Sequence, residues 1–188
     1  MAQAKTLTQE ELDRVLDYVS TRKYALRDRA IILTSFLAGL RVAEIAALRM
    51  IDVVNTDGTI KSEIRLSAAQ TKGNHPRTVF VSQRLRTELA NYLTTRHIHL
   101  PDIPFFHTDN RLGFTANGLC VWFHGLYRSV GISGGSSHSG RKFFITSLAN
   151  KGIGVRILAS LAGHRSIAVT QRYIEVNDEQ KRQAVELI

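Results

Sequence analysis

The sequence holds one cysteine, Cys120, among 188 residues, which excludes an internal disulfide and points to a reducing interior. Its three prolines are too few for an extended or low-complexity chain. The longest apolar run, Ala30 to Leu40, is interrupted by Thr34, Ser35 and Gly39 and is too short to span a bilayer. Met1 to Arg14 is polar and has no apolar signal core, so the cytoplasm is the expected address and no membrane partner is expected. Carboxylates are scarce as well, with 16 Asp and Glu against 25 Lys and Arg, a formal charge of +9. Such a surplus draws polyanions, of which nucleic acid is the usual one, although an anionic membrane surface feels the same field. What remains is ordinary: 44% apolar residues and enough chain for one domain with a hydrophobic core.

The periodicity predicts a mainly α fold with one small antiparallel β-sheet, an α+β domain over residues 1–188. Thr8 and Glu11 form a capping-box signature, followed by Leu12, Val15, Leu16 and Val19 at helical spacing. Helices are expected over Arg27 to Ala38 and Arg41 to Leu48, separated by Gly39. Asn55 to Gly58 is turn chemistry. Strands are expected over Ile60 to Leu66 and Thr78 to Ser82, with Lys72 near the tip between them. Leu85, Leu89, Tyr92 and Leu93 mark a helix from Gln83, and Phe105 and Phe106 a short buried strand before the turn Asp109 to Gly113. Thr115 caps a helix to about Val130. A Gly/Ser loop then leads to helices over His138 to Asn150, Val155 to Ala162 and Ser166 to Val176.

Chemistry gathers in the last third. His138 and Arg141 are three apart, so a helix projects both from one face, where an imidazole and a guanidinium can meet one phosphate. The arginine fork donates two parallel hydrogen bonds to phosphate oxygens. In Leu161-Ala-Gly-His-Arg-Ser166, Gly163 suits the left-handed end of a helix, His164 the tight turn, and Ser166 the cap of the next helix. Tyr173 then lies about two turns on. His97 and His99 form a His-x-His pair without a supporting cysteine or carboxylate cluster, so they are read with His107 as solvated loop residues, and no metal is expected. Cys120, Trp122, Phe143 and Phe144 are read as packing residues.

Gly39-Leu-Arg-Val-Ala-Glu-Ile45, Thr71-Lys-Gly-Asn74, His138-Ser-Gly-Arg141, and Leu161-Ala-Gly-His164 with Tyr173 nine residues on together resemble the tyrosine recombinase, or phage integrase, family, across nearly the whole chain. The resemblance implies the catalytic-domain fold of that family and a site-specific recombinase that integrates, excises or inverts DNA through a 3′-phosphotyrosyl intermediate. It implies Tyr173 as the nucleophile and Arg41 and Arg141 as ligands of the non-bridging oxygens. His138 is implied as the base, Lys72 as the acid for the 5′ leaving group, with Lys61 the alternative lysine, and His164 as a phosphate hydrogen-bond donor, with Glu44 orienting the site. No cofactor is implied. The partner is double-stranded DNA, engaged as a homotetramer by a protein that is a monomer or weak oligomer when free.

Two departures stand out. Lys142 occupies the place where the family commonly has a second histidine after the arginine. Larger members carry an N-terminal clamp domain, which residues 1–188 are expected to lack, either as an excised piece or as a relative of the short fimbrial-switch invertases. The competing readings are relaxation of the type IB topoisomerase kind and a DNA-binding regulator that keeps the fold without strand exchange. The terminal segment Glu175 to Ile188 is read either as docking on a neighbouring protomer or as packing on its own domain.

Overall fold

The helix that organises the structure is apolar on nearly every side. In this computed structural model, which describes residues 4–97, 100–110, 113–174, 181–182 and 185–186, helix α2 (Ala25–Ala38) buries Ala30, Ile31, Ile32, Leu33 and Phe36 together. A helix without a polar face must be surrounded, and α2 is packed by α1 (Gln9–Ser20), α5 (Gln83–Leu93) and α7 (Ser139–Asn150). Helix α1 starts as its capping box dictates: Thr8 Oγ1 accepts the Glu11 amide at 3.2 Å, and the Glu11 carboxylate accepts the Thr8 amide at 3.0 Å. It buries Leu12, Val15, Leu16 and Val19.

Gly39 ends α2 in the left-handed region, at φ 62°. A side chain is excluded there twice over, because a methyl would also lie 2.5 Å from the Phe144 ring. The chain turns into α3 (Val42–Ala46) and α4 (Met50–Val53), then reverses at Asn55 to Gly58, where Gly58 has φ 83°. Strands β1 (Glu63–Leu66) and β2 (Arg77–Phe80) pair antiparallel, with Ile64 opposite Val79 and Leu66 opposite Arg77. The first expected strand is shorter than its apolar pattern. Ile60 bridges Val54, and the Lys61 amide goes to Val53, so this stretch is tied to the end of α4. After α5 come α6 (Ala116–Ser129), α7, α8 (Val155–Ala162) and α9 (Ile167–Gln171).

Two expectations are corrected. Phe105 and Phe106 are buried against Tyr92, yet form no strand. The Phe105 carbonyl accepts from Tyr92 Oη and Arg96, and the Pro104 carbonyl from Arg96, so side chains occupy acceptors that a neighbouring strand would need. The last helix does not extend to Val176: α9 closes at Gln171, and Tyr173 lies in the turn that follows. The end of that expectation, like His99, Arg111, Leu112 and most of the tail from Glu175, lies outside the described residues. Among the described residues, no helix is long and apolar enough to cross a membrane.

Candidate active site

Ends of α3, α7 and α8 deliver polar groups to a common place. Arg41 is the N-cap of α3, and the Glu44 carboxylate, one turn on, accepts both the Arg41 amide at 2.7 Å and its Nη1 at 2.9 Å. His138 is the N-cap of α7, so Arg141 lies in the first turn of the helix. Gly163 (φ 61°) ends α8 and throws His164 into a tight turn, fixed by a hydrogen bond from its amide to the Ala159 carbonyl. Lys72 is exposed in the β1–β2 connection, where Gly73 and Asn74 both adopt positive φ. Tyr173 is held by its own backbone: its amide donates to Thr170, and its carbonyl accepts from Thr146 Oγ1 at 3.5 Å.

One cleft of about 370 Å³ is lined by Arg41, Lys72, His138, Arg141, His164 and Tyr173, with Lys142, Ala4 and Val169 completing its wall. All six residues singled out for chemistry therefore face one space, although they come from segments spread over the chain. A cavity of similar size, about 350 Å³, at Tyr24, Leu100, Ile103 and His107 contains none of them. The rings of His164 and Tyr173 lie nearly parallel, 5.8 Å between centroids. His164 Nδ1 pairs with the buried Thr170 hydroxyl at 2.8 Å, which turns Nε2 away from Thr170. Lys142 Nζ donates to the Ala4 carbonyl at 3.2 Å, tying the N-terminal segment to this wall.

Cations dominate the electrostatics of the cleft. Desolvation, then the charges of Arg141, Arg41 and Lys72, hold the His138 imidazole below its ordinary value. Desolvation and the cations Arg141, Arg41 and Arg77 lower His164 to about 4. Burial, followed by Arg41 and Arg77, also lowers Arg141, but a guanidinium stays charged at neutral pH. Glu44 is fully buried; burial pushes its carboxyl up, and hydrogen bonds and charge from Arg77 and Arg41 outweigh that and hold it below the usual range. An anion entering the cleft would meet the positive edge of a site whose histidines are neutral and able to donate or accept protons.

Sequence reasoning missed Arg77. It donates from Nε and Nη2 to the two Glu44 oxygens at 3.2 and 2.7 Å, and from Nη1 to the Leu161 carbonyl at 2.9 Å. Its signal was strand parity: Arg77 is two residues before buried Val79 and faces Leu66, so it occupies an inward position where a charge requires partners.

The phage integrase family model matches residues 5–180. Tyrosine recombinase XerA of Pyrococcus furiosus is 31% identical over 187 residues, covering 97% of this chain and 61% of that protein. Tyrosine recombinase XerC of Herpetosiphon aurantiacus is 29% identical over 179 residues, covering 93% of this chain and 57% of that protein. The crystal structure of XerA recombinase superposes with a TM-score of 0.79 at 25% identity, covering 100% of this chain and 64% of that one. XerH bound to a palindromic difH substrate shares the fold, with a TM-score of 0.74 at 20% identity over 96% of this chain and 51% of that one. The chain thus spans about three fifths of the length of the curated relatives it matches. Motif order, the mainly helical fold with its two-stranded sheet, and the match over residues 5–180 agree: the chain belongs to the phage integrase family.

Proposed function

We propose that this chain forms the catalytic domain of a site-specific DNA recombinase that breaks and rejoins strands through a 3′-phosphotyrosyl intermediate. The observation that carries the reading is the single cleft in which Tyr173 meets Arg41, Lys72, His138, Arg141 and His164. The Tyr173 phenol oxygen attacks the scissile phosphorus, and the bond from phosphorus to the 5′ oxygen breaks. Phenols ionise near pH 10, so attack at neutral pH needs a base; His138, held neutral, accepts the proton. Lys72, on the exposed connection, gives a proton to the departing 5′ oxygen. Arg41 and Arg141 bind the non-bridging oxygens and stabilise the charge that collects on them in the transition state. His164 adds a hydrogen bond from Nε2, and Glu44 fixes Arg41. Rejoining runs the same steps backwards, so the phosphotyrosyl bond conserves the energy of the broken one and no nucleotide cofactor enters.

The family relatives support the choice of partner. The Tn1549 transposon integrase, a fold neighbour with a TM-score of 0.76, is in complex with circular intermediate DNA, and XerH is bound to its difH substrate. The reaction is assigned to double-stranded DNA in the cytoplasm, with four protomers acting on two duplexes. Nicked duplexes with randomised inverted-repeat arms, selected for protein adducts that survive denaturant, test the chemistry and recover the site together. Adducts formed by the wild-type chain and lost in Tyr173→Phe are expected. Site binding without any adduct would leave a regulator. Strand exchange between two recovered sites, as opposed to relaxation of any supercoiled plasmid, separates recombination from topoisomerase action.

A further inference from the structure

We infer that Arg77 is a positioning residue for DNA cleavage, anchoring the His164 turn and the Arg41–Glu44 pair to the hairpin that carries Lys72. The inference rests on the recombinase reading of the cleft. Three consecutive carbonyls precede His164, and a different arginine takes each one: Arg77 the Leu161 oxygen, Arg141 the Ala162 oxygen, and Arg41 the Gly163 oxygen at 3.4 Å. Carbonyls at the end of a helix have no partner within it, and cations there oppose the negative end of the helix dipole. Arg41 and Arg141 also line the cleft, so an arriving phosphate competes for their donors. Arg77 does not line it. Its guanidinium, only a tenth exposed, is turned inward onto fully buried Glu44.

Arg77 is therefore the one of the three whose grip is not called away by substrate. Its side chain also explains Gly163 beyond the positive φ, since a methyl there would lie 2.6 Å from Arg77 Cδ and 3.2 Å from Nε. The arginine lies flat across the glycine that opens the His164 turn. Its backbone belongs to β2, five residues after Lys72, so one side chain sets the distance between the proton donor's hairpin and the histidine's turn. Lysine keeps the charge but has no planar fork to hold two carboxylate oxygens and a carbonyl at once.

The test compares Arg77→Lys and Arg77→Met with the wild-type chain on the duplex recovered by adduct selection. Single-turnover cleavage by Arg77→Lys is expected to fall on the order of 100-fold, the effect of misplacing reacting groups by about an ångström, with DNA affinity nearly unchanged. Amide exchange at His164, measured on the free protein, is expected to accelerate more than exchange in the core of α2. In Arg77→Met, loss of the cation is expected to raise the His164 imidazole pKa, read by NMR titration. Should Arg77→Met fail to fold, Glu44→Gln/Arg77→Met removes the stranded carboxylate as well. Wild-type cleavage by Arg77→Lys, or equal losses of binding and cleavage, would overturn the inference and leave the recombinase reading intact. An unaltered His164 exchange rate in Arg77→Lys would overturn it too. If the wild-type chain forms no adduct while Arg77→Lys loosens the His164 turn, the recombinase reading fails and the anchor stands.

Discussion

Replacing Gly140 with alanine touches no residue that lines the cleft, yet it is expected to disturb the cleft through the fold. Gly140 lies between His138 and Arg141 in the first turn of α7 and is buried against α2. A methyl there would lie 2.4 Å from Ser35 Oγ and 2.7 Å from Phe36 Cδ2, against an ordinary carbon contact of about 3.5 Å. The two helices would have to separate by about an ångström, and Phe36, wedged against Phe143, has little room to give. Overpacking of this kind costs about 1–3 kcal/mol, while glycine to alanine within a helix returns at most about 1 kcal/mol. The net loss is up to about 2 kcal/mol, which at about 2–4 °C per kcal/mol for this chain length lowers Tm by up to about 8 °C. Thermal unfolding followed by circular dichroism reads it directly. Among the described residues Ser35 Oγ has no hydrogen-bond partner, so Ser35→Ala removes the nearest obstacle and sacrifices none of the described bonds. The Ser35→Ala/Gly140→Ala double variant should recover part of the loss, with a coupling of about 0.5 kcal/mol or more. A Tm above wild type for Gly140→Ala, or strict additivity in the double variant, would show that the first turn of α7 has room for a methyl.

The two histidines give stability and DNA binding a dependence on pH. His164 is ordinarily half-protonated at 6.5 but lies at about 4 in the fold, and His138 is lowered as well. The unfolded chain therefore binds protons that the folded one refuses, and stability should fall as pH drops from about 6.5 towards 4. Glu44, depressed in the fold, keeps its contribution above its ordinary 4.5 and loses it as pH falls through the lower folded value. Urea midpoints between pH 4 and 7 should show this slope, and His164→Gln should flatten it; a flat wild-type profile contradicts the assignment. Burial lowers both rings most and the neighbouring cations lower them further; phosphate in the cleft offsets the cations, so DNA binding near pH 6 should take up protons. Calorimetry of duplex binding in buffers of different ionisation enthalpy measures that uptake, and proton release on binding would place the phosphate elsewhere.

The helices were legible where their stop signals are local. Helix α8 occupies Val155–Ala162 as expected, because Gly154 and Gly163 bracket one amphipathic run. Thr8 and Thr115 each cap the helix that follows with their own side chains, as expected, whereas Ser82, expected as the end of a strand, caps α5. Elements failed where side chains from elsewhere compete for the backbone. The periodicity through Ile174 continues a helix past Tyr173, yet the Tyr173 amide bonds three residues back to Thr170, and the Ile174 amide bonds back to Gln171. Thr170 is buried with its hydroxyl on His164, and Thr146 reaches the Tyr173 carbonyl, so tertiary bonds tighten the last turn. Tyr173 is set by that turn and not by a helix face, which alters how its phenol is aimed while leaving it in the expected cleft.

The cleft itself was legible because the fragments around Arg41, Lys72, His138, Arg141, His164 and Tyr173 resemble the family in order and spacing, and the fold brings those six side chains to one space. Its support was not. Arg77, Glu44 and the three carbonyls from Leu161 to Gly163 are separated by 33 and 84 residues and become one unit only in the fold. An arginine turned inward is stable only when its donors are matched, and the expected strand, begun at Thr78, left Arg77 outside the element that directs it inward. The same requirement makes the support exacting: Glu44 accepts four hydrogen bonds, two from Arg41 and two from Arg77. Removing Arg77 strands the carboxylate that holds Arg41, so a loss that begins behind the cleft is delivered inside it, at Arg41.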